Sequence, residues 1–210
     1  MIIGKILRSP HAHARIKSID ITDALAIPGV HAVITGEDFP GGGISGEIDG
    51  EGGGSISDQA KNVIARDKVL YHGHALAAVA AISDRAADRA LDAIKVEYEV
   101  LSPVLDILEA IDPDSVLVNE NNYTKLPEKP DRPSNIANVG NLIRGDIQEG
   151  FRRADVVIER EYVCPMTHQG YIEPHSCLAS VDEEGKGTVW CSTQGHFESV
   201  SYTHLRAHET

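Results

Sequence analysis

The sequence predicts an α+β fold, and three neighbouring passages carry that prediction. Residues 75–82, Ala-Leu-Ala-Ala-Val-Ala-Ala-Ile, form an almost wholly apolar run, the pattern of a strand buried on both faces. Ala86, Ala87, Ala90, Leu91 and Ile94 then recur at helical spacing, while Asp84, Arg85, Asp88, Arg89 and Asp92 fall on the opposite face. Val96-Glu97-Tyr98-Glu99-Val100 alternates apolar and polar, as a half-buried strand does. Ser83 supplies a helix cap between the first two passages. The small alanines let the helix approach the sheet closely, which suits a chain with only 5% aromatic residues.

The elements before this passage follow in order. Lys5-Ile6-Leu7 and the Ala14, Ile16, Ile19 pattern read as short strands around a Ser-Pro-His turn. Thr22 is expected to cap a short helix over Asp23-Ala24-Leu25-Ala26, which Pro28-Gly29 ends. Residues 30–34 are a strand, and Thr35-Gly36-Glu37-Asp38 turns away from it. A glycine-rich loop then runs from Pro40 through Gly54. It has no lysine at a P-loop position and no strand–turn–helix context, so phosphate cradling is not expected there.

Beyond residue 112 the periodicity stops. Residues 113–141 hold Pro113, Pro127, Pro130 and Pro133 among many Asn, Asp and Lys residues, and read as a connector containing a domain boundary. Residues 145–151 read as a short helix. Residues 156–163 alternate as a strand. Leu178-Ala179-Ser180-Val181 and Thr188-Val189-Trp190-Cys191-Ser192 read as a hairpin.

Composition limits the function. The chain has 210 residues, 32 acidic and 19 basic side chains, and a formal net charge of −13. Such a surface repels phosphate backbones, so no nucleic-acid role is expected. No apolar stretch reaches the roughly 18 residues of a membrane helix, and Lys5 and Arg8 interrupt the apolar start. A cytoplasmic protein without a membrane span is the expectation. Cys164, Cys177 and Cys191 are too few for a disulfide framework, form no Cys-x-x-Cys pair, and are expected to be small buried thiols.

Three strings are unusual: Arg8-Ser9-Pro10-His11-Ala12-His13-Ala14-Arg15-Ile16, Tyr71-His72-Gly73-His74-Ala75, and His168-Gln169-Gly170-Tyr171-Ile172-Glu173-Pro174-His175. Each His-x-His pair, if on a strand, would present both rings on one face and could chelate zinc. No Cys, Asp or Glu stands at a companion spacing. A structural role in turns is therefore expected, and no metal site. Glu173 stands in an apolar and aromatic context, where a carboxylate must be paired, hydrogen-bonded or near a site. It reads either as a general base or as a glutamate tying loops together.

In this order the three strings resemble the molybdenum-binding subunit of the xanthine dehydrogenase and aldehyde oxidase family, from about Ile3 to about Val200. The resemblance implies an α/β hammerhead domain over 1–112, a connector over 113–141, and over 142–200 the incomplete start of a first molybdopterin-binding α+β domain. It implies a site contact as well. Ser192-Thr193-Gln194 matches a family segment whose glutamine hydrogen-bonds an oxygen ligand of molybdenum. A neutral amide donor suits that task. Gln194, with Gly195 after it, is the expected cofactor contact; His196 and Phe197 follow. His74 stands where many relatives carry Gln, near the path toward the cofactor. His74 and Glu173 are thus candidates for contacts behind the cofactor's immediate ligands. The family's reacting glutamate belongs to a later motif, so Glu173 is not the catalytic base, and no catalytic residue is assigned here.

The departures from the family matter equally. No Gly-Gly-Phe-Gly cofactor loop follows Val200, and the late glutamate segment is missing. Residues 201–210 resemble a translated sequencing adaptor. The resemblance thus implies a fragment, inactive alone, of a molybdenum–molybdopterin hydroxylase acting on a heterocycle or aldehyde, or oxidising carbon monoxide, with water-derived oxygen. Its partners would be an iron–sulfur subunit with [2Fe–2S] clusters, an FAD subunit, and a small-molecule substrate. A non-catalytic hammerhead module for binding or assembly is the alternative.

Overall fold

The computed structural model describes residues 1–39, 62–126, 128, 130–168 and 170–193. Contacts divide the chain into two units, Met1–Leu142 and Ile143–Thr210. Each is described by itself.

The first unit is built on two three-stranded sheets. One has the order β1 (Ile3–Arg8), β5 (Ala75–Ala81), β3 (Val30–Thr35), and the other β4 (Lys68–Val69), β2 (Ala14–Asp20), β6 (Lys95–Val100). Every pairing of these strands is antiparallel. The strand–helix–strand passage is present, but β5 and β6 lie in different sheets, so its strands are not parallel neighbours. Residues 75–82 were expected to be buried on both faces. Only one face is fully covered: Ala77, Val79 and Ala81 are buried, while Ala78 and Ala80 are half-buried.

Helix α1 (Thr22–Leu25) and helix α2 (Asp84–Ala93) cover that face. Ala24, Val33, Ala77, Val79, Ala81, Ala86, Ala87, Ala90 and Ile94 form one core cluster. The Ser83 side chain accepts the N–H of Ala86, the cap the sequence predicts. Lys5, on the inward-facing side of β1, reaches Asp88 at 2.6 Å and Asp84 at 3.3 Å and ties the polar edge of α2 to the sheet. A second cluster, Ala14, Ala65, Val69 and Leu76, joins the two sheets.

The α1 cap differs from expectation. Thr22 is the first helical residue rather than the cap; Ile21 is the N-cap and makes no side-chain bond. Asp20 instead accepts the N–H of Thr22 at 2.9 Å, because its carboxylate sits two residues upstream, where an Asx-turn closes. Thr35 and Asp38 form a reciprocal capping box around the one-turn helix Gly36–Asp38. Arg66 donates to Gly36 O at 2.7 Å and also to Phe39 O, which fastens that turn to residues 65–66.

Helix α3 (Ile107–Ile111), capped by Asp106, precedes the connector and has no counterpart in the sequence reading. Its five residues are too few to show a period. The connector itself is tied by side chains. Asn135 donates to Val116 O at 2.9 Å and accepts from Val118 N at 2.9 Å; Asn122 donates to Ser134 O at 2.7 Å. Lys68 and Arg15 both engage Glu120, at 2.9 and 3.3 Å. Local amide bonds of this kind replace a ladder where no regular strand can form.

In the second unit, helix α4 (Ile147–Arg153) is capped by Asp146, and β7 (Cys177–Val181) pairs with β8 (Gly187–Cys191) as a hairpin. Both elements were legible from sequence. Residues 156–163 are not a strand. Alternation alone does not make one: a strand needs a ladder partner, and the described residues offer none there. Among the described residues, no helix is long and apolar enough to cross a membrane.

Candidate functional site

The two His-x-His strings lie in turns, not on strands, and the first unit brings them together. Arg8 donates to Gly73 O at 2.9 Å, Ser9 N–H donates to His74 O at 2.9 Å, and Gly73 N–H donates to Ser9 O at 2.9 Å. Gly73 has φ +83°, a left-handed conformation that favours glycine. These bonds continue the β1–β5 ladder past its last pair, Arg8 with Ala75. The Arg8-Ser9-Pro10 turn and the His72-Gly73-His74 turn therefore form one knot at the end of the sheet.

Within this knot both turn-closing histidines are buried. His74 is fully buried, and both its ring nitrogens are engaged by main chain. Nδ1 accepts Leu70 N–H at 3.3 Å, so the proton sits on Nε2, which donates to Asn62 O at 2.7 Å. Burial lowers its pKa, partly opposed by the Asn62 bond. Tyr71 stacks on its ring at 4.4 Å. His13 is likewise buried; its Nδ1 donates to Ser102 O at 2.7 Å, and its Nε2 is buried without a partner among the described residues. His11 packs edge-on against Tyr98 at 4.8 Å, and burial raises the Tyr98 pKa. No group of three metal-ligating side chains occurs among the described residues.

Glu173 lies in the second unit and is exposed, with no hydrogen bond or ion pair among the described residues. Its apolar sequence neighbours do not enclose it: Ile172 is exposed as well, and Tyr171 turns instead toward His168 and His175. All three cysteines are exposed, against the expectation of buried thiols. Cys177 and Cys191 stand on the hairpin, whose residues are exposed throughout. That Cys177 faces Cys191 was readable in principle from the hairpin register.

The Ser192-Thr193-Gln194 segment leaves the end of β8. Ser192 accepts the N–H of Ser176 on its hydroxyl at 3.0 Å and donates to Pro174 O at 3.1 Å. Gln194 and Gly195 lie outside the described residues, as do the 40–54 loop and the 201–210 tail. The donor set in this segment is hydroxyl, hydroxyl, amide, with no carboxylate in Ser192-Thr193-Gln194-Gly195. Neutral donors without a competing anion fit an anionic, oxygen-rich group such as molybdopterin.

An antiparallel two-sheet unit followed by a helix and hairpin defines an α+β protein, and comparison with known proteins gives its class. The model of the aldehyde oxidase and xanthine dehydrogenase a/b hammerhead domain matches residues 1–102, and that of the molybdopterin cofactor-binding domain matches 128–204. The chain belongs to the xanthine dehydrogenase and aldehyde oxidase family of molybdopterin-binding large subunits, with a hammerhead domain and the start of a cofactor-binding domain.

Individual relatives agree. The nicotinate dehydrogenase large molybdopterin subunit of Eubacterium barkeri is 33% identical over 94% of this chain, which covers 42% of that protein. The carbon monoxide dehydrogenase large chain of Afipia carboxidovorans is 31% identical over 92% of this chain, which covers 24% of it. The crystal structure of the Cu,Mo-CO dehydrogenase in its carbon monoxide reduced state superposes on 98% of this chain with a TM-score of 0.74 and 29% identity; this chain covers 26% of it. The chain thus spans between about a quarter and two fifths of these proteins' lengths.

Proposed function

We propose that this chain is part of the large subunit of a molybdenum hydroxylase. The intact enzyme hydroxylates a heterocycle or an aldehyde, or oxidises carbon monoxide. One observation carries the reading: the hammerhead and cofactor-domain matches stand in sequence on a single chain. We place the hammerhead domain at 1–112, the connector at 113–141 and the start of the cofactor domain at 142–200.

When bound, the molybdenum–molybdopterin cofactor supplies two-electron oxidation of substrate with oxygen drawn from water. This chain's residues bind and orient it. The Gln194 amide donates a hydrogen bond to the cofactor, and the Gly195 N–H lies next to it in sequence. Ser192 holds the end of β8 through its bonds to Ser176 and Pro174, and so fixes where that donor pair begins. His74 is assigned a supporting role behind the cofactor's immediate ligands, and it keeps the knot between β1 and β5 closed. Glu173 is placed as a supporting contact and not as the base. The proposed partners are an iron–sulfur subunit, which would hold [2Fe–2S] clusters, and an FAD subunit; these groups would supply the route for electrons, and the proposed location of the complex is the cytoplasm.

The test is made on the protein from the complete reading frame that contains this chain. Molybdenum and pterin content are measured, then dye reduction with heterocycles, aldehydes and carbon monoxide. Stoichiometric molybdenum with reduction by one substrate class is the expected result. A full-length protein free of molybdenum and pterin would overturn the reading and favour an assembly module. The 210-residue chain by itself is expected to retain no molybdenum; stoichiometric metal on it would refute that expectation.

A further inference from the structure

We infer that Cys177 and Cys191 are a redox modification site: a cross-strand thiol pair that small disulfides oxidise reversibly to one intrachain disulfide. The two cysteines are direct partners in the antiparallel register of β7 and β8, and both are free and exposed. Directly opposed residues point to the same face of the ladder.

The phase of the ladder decides how close they come. Antiparallel pairs alternate between hydrogen-bonded and non-hydrogen-bonded positions. Ser192 N–H donates to Ser176 O at 3.1 Å just outside the cysteines, and Asp182 N–H donates to Lys186 O at 3.1 Å at the turn end. Those two bonds mark 176 with 192, and 182 with 186, as hydrogen-bonded positions. Stepping inward from either end places 177 with 191 at a non-hydrogen-bonded position. That is the closer class, with Cα atoms about 4.5 Å apart. A disulfide spans Cα separations of roughly 4.4–6.8 Å, so the bond closes without moving the backbone.

Fraying does not undo this geometry. The Ser192 hydroxyl accepts Ser176 N–H at 3.0 Å and donates to Pro174 O at 3.1 Å, which latches the open end of the hairpin immediately beside the cysteines. Cys164, the third thiol, lies outside the ladder.

The oxidant is a low-molecular-weight disulfide, RSSR. One cysteine thiolate attacks a sulfur of RSSR, forms a mixed disulfide and releases RS⁻. The second thiolate attacks the cysteine sulfur of that mixed disulfide, forms the Cys177–Cys191 bond and releases a second RS⁻. Two cysteine thiols lose two electrons, RSSR gains them, and the two thiol protons end on two RSH molecules. Excess small thiol runs the sequence backwards. The inference does not depend on the cofactor reading.

The full chain is incubated with excess oxidised glutathione at mildly alkaline pH. Remaining thiols are alkylated, and the unreduced digest is mapped by mass. Expected are peptides containing residues 177 and 191 joined with loss of two hydrogens, Cys164 never joined to either, and three free thiols again after dithiothreitol. In Cys177→Ser the glutathione adduct should accumulate on Cys191, because no second thiol resolves it. A second pair, Ala179→Cys with Val189→Cys in a Cys177→Ser, Cys191→Ser background, reports the same ladder phase and should also link. Linkage of that pair without linkage of the native one would overturn the inference. So would failure of both, or Cys164 joined to either native partner.

Discussion

The Nδ1 lone pair of His74 receives the main-chain N–H of Leu70 at 3.3 Å. With Nε2–H committed to Asn62 O, a second ring proton has nowhere to go without breaking the Leu70 bond.

This makes the first unit sensitive to mild acid. Burial lowers the folded pKa of His74 below the ordinary imidazole value of about 6.5. The unfolded chain then binds more protons as pH falls. The contribution is intact above about 6.5 and is lost as pH drops through the folded pKa. Urea midpoints followed from about pH 7.5 to 5 should fall, and His74→Gln should flatten that slope. His74→Ala should cost about 2–4 kcal/mol at neutral pH, through the void and two unpaired main-chain groups. An unchanged slope in His74→Gln would contradict this account.

Glu120 should control the connector. Its carboxylate is held below the ordinary glutamate range, first by the Lys68 hydrogen bond, and Arg15 adds to this. The link is therefore present above the ordinary glutamate value and lost as pH falls through the lowered one. The pair is partly exposed, so Glu120→Gln should cost only about 0.5–1 kcal/mol. Limited proteolysis is the sensitive readout: cleavage between residues 113 and 141 should speed up in Glu120→Gln while cleavage within 75–100 stays slow. Equal acceleration at both would mean Glu120 supports the whole unit.

Two glycines should rank in a definite order. A Cβ at Gly36 would lie 2.9 Å from Ala65 O and Arg66 Cα, both main chain. At Gly29, with φ +92°, it would lie 2.8 Å from Cγ1 of Ile82, a side chain that can turn away. Gly29→Ala should cost about 1–2 kcal/mol, mostly backbone strain. Gly36→Ala should cost about 2–4 kcal/mol, because the turn must separate from residues 65–66. Urea midpoints of the two variants check the order, and the reverse ranking would contradict the close approach at Gly36.

Gln194 tests the proposed cofactor contact in the intact enzyme. Loss of one hydrogen bond to a polar or charged group costs about 1.5–3 kcal/mol. Gln194→Ala should therefore lower turnover roughly ten- to hundredfold with molybdenum content unchanged. Gln194→Glu should be slower still, because it replaces the donor with an anion. Normal turnover in both variants, at normal molybdenum content, would remove Gln194 from the site.

The sequence was informative where local pattern and tertiary role coincide. Ala86, Ala87 and Ala90 repeat at helical spacing because that face packs on β5, and Ser83 caps the helix that follows it. Pattern failed where partners decide the structure. Residues 156–163 alternate like a strand, yet alternation cannot supply the missing ladder. The connector looked structureless because its order comes from Asn135, Asn122 and Glu120, whose partners lie up to 105 residues away in sequence. At the site, His72 and His74 suggested a chelating pair only if they lay on a strand; the left-handed Gly73 between them makes a turn instead. That φ is permitted by the glycine but not dictated by it.

The first core cluster draws six of its nine buried members from alanine, including Ala77 and Ala81 on β5 and Ala86, Ala87 and Ala90 on α2. An alanine contributes one methyl group, so trimming it opens almost no void. Adding even two carbons where helix and sheet meet has no space to enter. Sequence drift at this seam is thus one-sided: Ala→Gly is absorbed at the modest entropic cost of a glycine, while Ala→Val or Ala→Leu must pry the helix off the strand. A library randomised over these five positions should return small residues almost exclusively.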